Sequence, residues 1–457
     1  MINSRFILLL SLVSGTSMAQ TNPAITQWLQ NTTIAGRHYV AGNPTVITDN
    51  NLANVQSVKY SATSVYISTQ GIPAYPTGPF QDGNPSQATS QNAIFKIPLS
   101  PVQNTGTATP TTGGNIGIFI NGVALFDYRD GVAWNSTSNA LCGGPGNPPC
   151  PGGPTATNAW NRDAIPAEKP GFDCSKGHPA MGNYHHHQNP SAFNLDLSVV
   201  STVCNLYAAD GLYVIDSTQH SPLIGFTYDG FPIYGAYGFK NADGTGGITR
   251  IKSSYSLRNI TTRTTSPTGA AVSTGPAIST TYPLGYFRED YQYSLTTAQT
   301  PDFLDQHNGR FCITPEYPNG IYCYFATVDK NWNSSYPYVV GPTFYGVKTA
   351  LKVPSITETV STYVATTAAN DLENQEYKIS IYPNPTSELI AIQLGTLSRE
   401  NLKVELLDYT GRLIKETNLI QGSTIAYFET STLHSGSHII RVSFNNQVIT
   451  RKIVIAE

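Results

Sequence analysis

"LIGFTYDGFPIYGAYG", residues 223 to 238, sets two apolar, aromatic runs on either side of Asp229-Gly230. An Asp-Gly pair in that setting predicts a type I′ β-hairpin, because both residues tolerate positive φ and the turn twists with the flanking strands. Asp229 is thereby given a structural role. The same texture extends in both directions. From Val46 to about Phe325, apolar residues alternate with polar ones and are rich in Tyr, Thr, Ile and Val, with Gly, Pro and Asn at short intervals, which predicts an all-β domain. Further strands are expected at "SVKYSATSVYIST" (57 to 69), "GIFINGVALFDY" (117 to 128), "LYVID" (212 to 216) and "YPYVVGPTFYGV" (336 to 347). In "GRFCITPEYPNGIYCYFATVD" (309 to 329) Asn319-Gly320 repeats the turn signal, but a two-residue turn there leaves Cys312 out of register with Cys323. A Cys312 to Cys323 disulfide needs a longer loop, which Pro315 and Pro318 favour.

The ends bound the class of protein. Arg5, the apolar run "FILLLSLV" and the small-residue site Ser17-Met18-Ala19 follow the order of a secretory signal peptide, with the mature chain expected from Gln20. The run is too short to span a bilayer and no later stretch is long enough, so an exported protein without an integral membrane segment is expected. Only 12% of residues are charged and the net charge is -3, which gives no footprint for nucleic acid and no polybasic membrane anchor. Six cysteines in an exported chain predict disulfides, and Cys142 with Cys150 encloses a Gly/Pro loop that a bridge would clamp. The absence of a CxxC pair excludes zinc ribbons and thioredoxin-type sites.

Residues 348 to 375, including "SITETVSTYVATTAANDLENQ", lack periodicity and read as a linker. Evenly spaced alternating strands follow, predicting a small Ig-like β-sandwich over residues 376 to 457. The expected order is therefore a signal peptide (1 to 19), a large β-sandwich-like domain with an N-terminal extension (20 to 347), a linker and a second sandwich. The extension, about residues 20 to 115, is expected to add its strands to the large domain.

Two resemblances rest on specific segments. "YPNPTSE" (382 to 388), "VELLDYTGRLIKE" (404 to 416) and "LHSGSHIIRVSFNNQVITRKIVI" (433 to 455) resemble the type A sorting domain of the type IX secretion system, with His438 where a tyrosine is common. That resemblance implies a Gram-negative bacterium, passage through the type IX machinery, and attachment to the outer surface or release. "IGIFINGVALFD" (116 to 127), "CSKGHPAMGNYHHHQNP" (174 to 190), "SPLIGFTYDGFPIYGAYG" (221 to 238) and "NGRFCITPEYPNGIYCYFATVD" (308 to 329) resemble, in order, the YHYH-domain family. Within its naming string this chain reads Tyr184-His185-His186-His187, so His186 replaces the second tyrosine. The resemblance supplies residues and no reaction.

If residues 184 to 187 form a strand, its period of two puts His185 and His187 on one face and Tyr184 and His186 on the other. Two imidazoles so placed can reach one ion, and a third ligand is then required. His178 is the first candidate, held extended by Pro179 with Gly177 and Gly182 allowing the chain to fold back. His307, in "DFLDQHNGRF" with Asp302 and Asp305, and His220 come next. Three histidines, with or without a carboxylate, suit Zn(II) or Cu(II). His186 is expected to pack or be exposed, and Tyr184 to be a core or strand residue.

No Gly-x-Ser-x-Gly elbow, His-Glu-x-x-His, phosphate loop or dinucleotide fingerprint occurs. Glu289, Asp290, Asp302 and Asp305 remain unranked carboxylates. Two functions follow. One is a secreted metalloprotein using His178, His185 and His187 in metal-assisted hydrolysis or copper-dependent oxidation. The other is a non-catalytic glycan-binding or adhesion module with structural histidines, in which the three imidazoles would diverge.

Overall fold

A computed structural model describes residues 21–80, 87–144, 158–191, 211–294, 301–364 and 379–456, less 396, 397, 399, 410, 445 and 446. The expected signal peptide lies outside them. The fold is nearly all β, and its centre is an eight-stranded sheet. We number its strands β1 (Asn115–Phe119), β2 (Ala124–Phe126), β3 (Gly177–Ala180), β4 (Asn183–His186), β5 (Leu223–Thr227), β6 (Pro232–Tyr234), β7 (Gly309–Cys312) and β8 (Ile321–Phe325). Their spatial order is β3-β4-β2-β1-β5-β6-β8-β7.

The hairpin at residues 223 to 238 forms, with a different turn. Gly230 has φ +88° but Asp229 does not enter the left-handed region, and Gly230 N bonds Thr227 O while Thr227 N bonds Phe231 O. One positive-φ residue after the turn defines a hairpin with a glycine bulge, in place of the expected type I′ turn. Asp229 is nonetheless structural: its buried carboxylate accepts from Thr227 Oγ1, Tyr324 Oη (2.6 Å) and Gly346 N (2.7 Å).

The N-terminal extension joins the same core. Val55–Tyr60, Ser64–Thr69 and Ala93–Pro98 form the middle of a five-stranded sheet, and Val58, Ile67 and Phe95 pack in one cluster with Ile118, Phe226, Ile233 and Phe325 of the central sheet. Burying such side chains contributes about 1.5–3 kcal/mol each, which ties the two sheets to one core. The edges of the five-stranded sheet are Leu351–Val353 and Ser361–Tyr363. That part of the expected linker is therefore strand, because edge pairing satisfies its backbone where composition gave no apolar period; residues 365–378 lie outside those described.

Two further expectations change. "LYVID" is buried but makes only an isolated bridge, Ser191 to Tyr213. "YPYVVGPTFYGV" is a packed loop, since Pro337 and Pro342 lack ladder donors and the carbonyls of Tyr338 and Val339 bond Thr327 N and Asn308 Nδ2. Between β7 and β8 the connection runs from residue 313 to 320, the longer loop that the cysteines required, yet Cys312 and Cys323 are buried free thiols. Cys142 and Cys174 are each disulfide-bonded, but Cys150 lies outside the described residues, so the expected Cys142 to Cys150 bridge is not described.

The C-terminal domain places three strands (Ile379–Tyr382, Leu389–Leu394, Ile425–Glu429) against four (Leu402–Asp408, Leu413–Leu419, Gly436–Phe444, Gln447–Ile455) over a separate core that includes Ile392, Leu406, Phe428, Val442 and Ile453. This is the expected small sandwich. No described helix is long and apolar enough to cross a membrane.

Candidate metal centre

The sequence Met181-Gly182 decides the local geometry. Both residues have positive φ, 50° and 83°, and join β3 to β4 by the tightest kind of hairpin, which sets His178 directly opposite His185. Parallel pairing of β4 with β2 places His185 beside Ala124, and His187 follows just past the strand end. The run of three histidines is thereby split between faces. His178, His185 and His187 converge on one side, while Tyr184 and His186 turn to the other.

The donor atoms of the three imidazoles lie within 4.8 Å of one another. His185 Nε2 is 3.1 Å from His187 Nε2, which is 3.4 Å from His178 Nε2. Backbone carbonyls fix two tautomers: His185 Nδ1 donates to Asn183 O at 2.9 Å and His187 Nδ1 to Asp127 O at 2.7 Å. A carbonyl only accepts, so in the neutral rings both Nε2 atoms carry lone pairs and face each other. Such an arrangement is repulsive unless a proton or a cation stands between them. Donors about 2.0–2.1 Å from a tetrahedral ion are separated by roughly 3.3–3.4 Å, close to the His185–His187 and His178–His187 spacings.

Glu168 borders the cluster, and nothing in the sequence pointed to it. Its Oε2 lies 3.2 Å from both His178 Nε2 and His187 Nε2. It ends the short helix Ala164–Glu168, whose N-cap Asp163 accepts from Ile165 N and, at 2.6 Å, from Tyr338 Oη. The imidazoles are almost fully buried, and although the Glu168 side chain keeps 22% of its surface exposed, the Oε2 atom that faces them is buried. Packing holds the rings: Phe126 stacks on His185 at 3.8 Å, and Phe172 meets His178 edge-on.

The electrostatics separate the partners. Burial, with His178 and His187 alongside, pushes His185 well below the ordinary histidine range. Burial also opposes charge on His187, but the Glu168 carboxylate outweighs it and raises the net value. For Glu168 burial favours the neutral acid, and the two imidazoles reverse this, leaving it well below the ordinary carboxylate range.

The other face is structural. His186 is fully buried, with Nδ1 on Lys176 O at 3.0 Å and Nε2 on Tyr75 Oη at 2.8 Å, and burial lowers its pKa to about 3. Tyr184 donates to Asp173, whose carboxylate also accepts from Gly78, Ser175 and Gly177 N. His307 does not reach the centre: its imidazole is held by Thr343 O and Oγ1, and its amide by Asp305. His220 lies with Tyr234 and Phe239. The unranked carboxylates have structural partners, Glu289 on Asn161, Asp290 on Arg263, Asp302 on Lys252 and Asp305 on Tyr322.

No curated protein matches the chain. Residues 380–456 match the secretion system C-terminal sorting domain, which marks a secreted or cell-surface protein and involves the type IX secretion machinery. Residues 94–338, more than half of the chain and including all eight central strands, match the YHYH protein family model. The chain is a member of the YHYH protein family carrying a C-terminal secretion sorting domain.

Proposed function

We propose that this exported protein binds one transition-metal ion through His178, His185 and His187, with Glu168 as a fourth donor. The observation that carries this is the pair of Nε2 lone pairs brought to 3.1 Å by carbonyl-anchored imidazoles, in a spacing that an ion relieves. The donor set of imidazoles and one carboxylate suits Zn(II) or Cu(II). Bound there, Zn(II) would supply Lewis-acid chemistry and Cu(II) one-electron chemistry. The protein's own contribution is a buried, aromatic-walled set of ligands with a carboxylate beside two of them. Glu168 is placed to stay on the ion or to hold a proton beside it, which supports metal-assisted hydrolysis or oxidation as the activity.

The competing function, a glycan-binding or adhesion module with structural histidines, requires imidazoles that diverge. Convergence favours the metal. The test is elemental analysis of untagged protein after offering Zn(II) or Cu(II). About one equivalent is expected in the wild type and close to none in His185→Ala/His187→Ala. Equal, near-zero content in both would refute the assignment.

A further inference from the structure

The central sheet has the same construction when followed outward from its middle in either direction. From the antiparallel β1–β5 pair, one half runs β1, β2, β4, β3 and the other β5, β6, β8, β7. Each half is a hairpin, then a parallel neighbour, then an antiparallel edge strand. Register across the centre obeys a two-fold: Ile118 faces Phe226, with Gly117 facing Thr227 and Phe119 facing Gly225 on either side.

Hydrogen bonds repeat in detail. In the first hairpin Phe119 N bonds Val123 O and Gly122 N bonds Phe119 O; in the second Thr227 N bonds Phe231 O and Gly230 N bonds Thr227 O. Both turns end on a left-handed glycine, Gly122 (φ +81°) or Gly230 (φ +88°). Before each edge strand an aspartate makes the same turn. Asp173 N bonds Gly177 O, and its Oδ1 accepts from Ser175 and Gly177 N; Asp305 N bonds Gly309 O, and its Oδ1 accepts from His307 and Gly309 N. Each aspartate receives a tyrosine hydroxyl, from Tyr184 or Tyr322.

The equivalence maps the metal centre onto a second place. His178 faces His185 as Arg310 faces Cys323, and His186 neighbours Leu125 as Tyr324 neighbours Ile233. Tyr184-His185-His186-His187 thus corresponds to Tyr322-Cys323-Tyr324-Phe325, and His178 to Arg310. At that second place the Arg310 guanidinium lies 5.5 Å from the Phe325 ring and donates to the carbonyls of Phe239, Lys240 and Pro301. A fixed cation with planar donors satisfies those carbonyls without an ion.

We propose that the sheet is two copies of one four-stranded unit, and that Arg310, Cys323 and Phe325 occupy an erased metal centre in the second copy, whose positive charge the guanidinium now provides. The central sheet accordingly carries one ion and not two. The proposal rests on the metal assignment in the first copy, and its test separates them. Arg310→His/Cys323→His/Phe325→His is made in the His185→Ala/His187→Ala background, with the milder Arg310→His/Cys323→His beside it, which keeps Phe325 and leaves Cys312 as a third donor. Zn(II) binding is measured by calorimetry, with the fold checked by a cooperative melt.

Recovery of about one equivalent in either variant is expected. Folded variants that stay at background overturn the proposal. Failure of both to fold counts equally against it, because the first copy accommodates histidine at the same three positions. A wild type that binds no ion sinks the metal assignment instead, while recovered binding in the grafted chain still supports the duplication.

Discussion

Ion-dependent stability offers the sharpest test of the proposed centre, because the candidate ligands are already assembled. His185 is fixed by Asn183 O and the Phe126 ring, and His187 by Asp127 O, so little ordering free energy opposes binding. At an ion concentration about a hundred times Kd, linkage to the folded state contributes about 2.7 kcal/mol. For a domain of this size each kcal/mol raises Tm by about 2 °C or somewhat more, so a rise of roughly 5 °C is expected between chelated and Zn(II)-loaded protein. The assay is a thermal melt of the whole chain in chelator, in Zn(II) and in Mg(II), repeated on His185→Ala/His187→Ala. The variant should melt at one temperature in all three, below the chelated wild type, because deleting buried rings costs about 2–5 kcal/mol in lost packing. An equal Zn(II) shift in wild type and variant, or no shift in either, would refute the reasoning.

Four further outcomes follow from particular contacts. Glu168→Gln should retain the fold and weaken Zn(II) binding by about 10–100-fold in a calorimetric titration, since the amide keeps the shape and loses the charge. Gly177→Ala and Gly309→Ala should each cost about 1–3 kcal/mol in denaturant melts, because an added Cβ overlaps the Tyr184 phenol in one copy and the Tyr322 phenol in the other. Burial raises the pKa of Asp163 to about 8. A raised folded-state value gives stability that is complete below the unfolded pKa and lost as pH rises toward 8, so Asp163→Asn should flatten that decline in pH-dependent melts. Cys312 and Cys323 should resist a thiol reagent in the native protein and react on unfolding, because both are buried.

Much of the architecture was legible because strand period and turn chemistry are local. The alternation that divided His185 and His187 from His186 needs only neighbouring residues. Of the features that were not, three have separate reasons. Glu168 sits in "AIPAEKPGF", where no ligand spacing links it to the histidines, and only the placement of a short helix whose last residue meets His178 of β3 brings it in. The type I′ expectation at Asp229 failed because its carboxylate is recruited by Tyr324 and Gly346 from distant segments. The duplication shows in the chain as Ile116-Gly117 with Gly122 against Ile224-Gly225 with Gly230, and as Asp173, Gly177 and Tyr184 against Asp305, Gly309 and Tyr322. Those residues are kept by backbone demands, while the side chains between them have diverged, so few matches survive to be read.

The five-stranded sheet has a consequence for the order in which the molecule is made. Its middle strands are encoded between Val55 and Pro98, but both edges are supplied by residues 351 to 363. Until that segment emerges, two open edges remain, each able to pair with another chain. The amino-terminal sheet is therefore among the earliest parts synthesised and the last to close, and the polypeptide stays incompletely folded until almost all of it ahead of the sorting domain has been delivered. An internal truncation anywhere before residue 363 should yield aggregating protein and not a smaller stable domain.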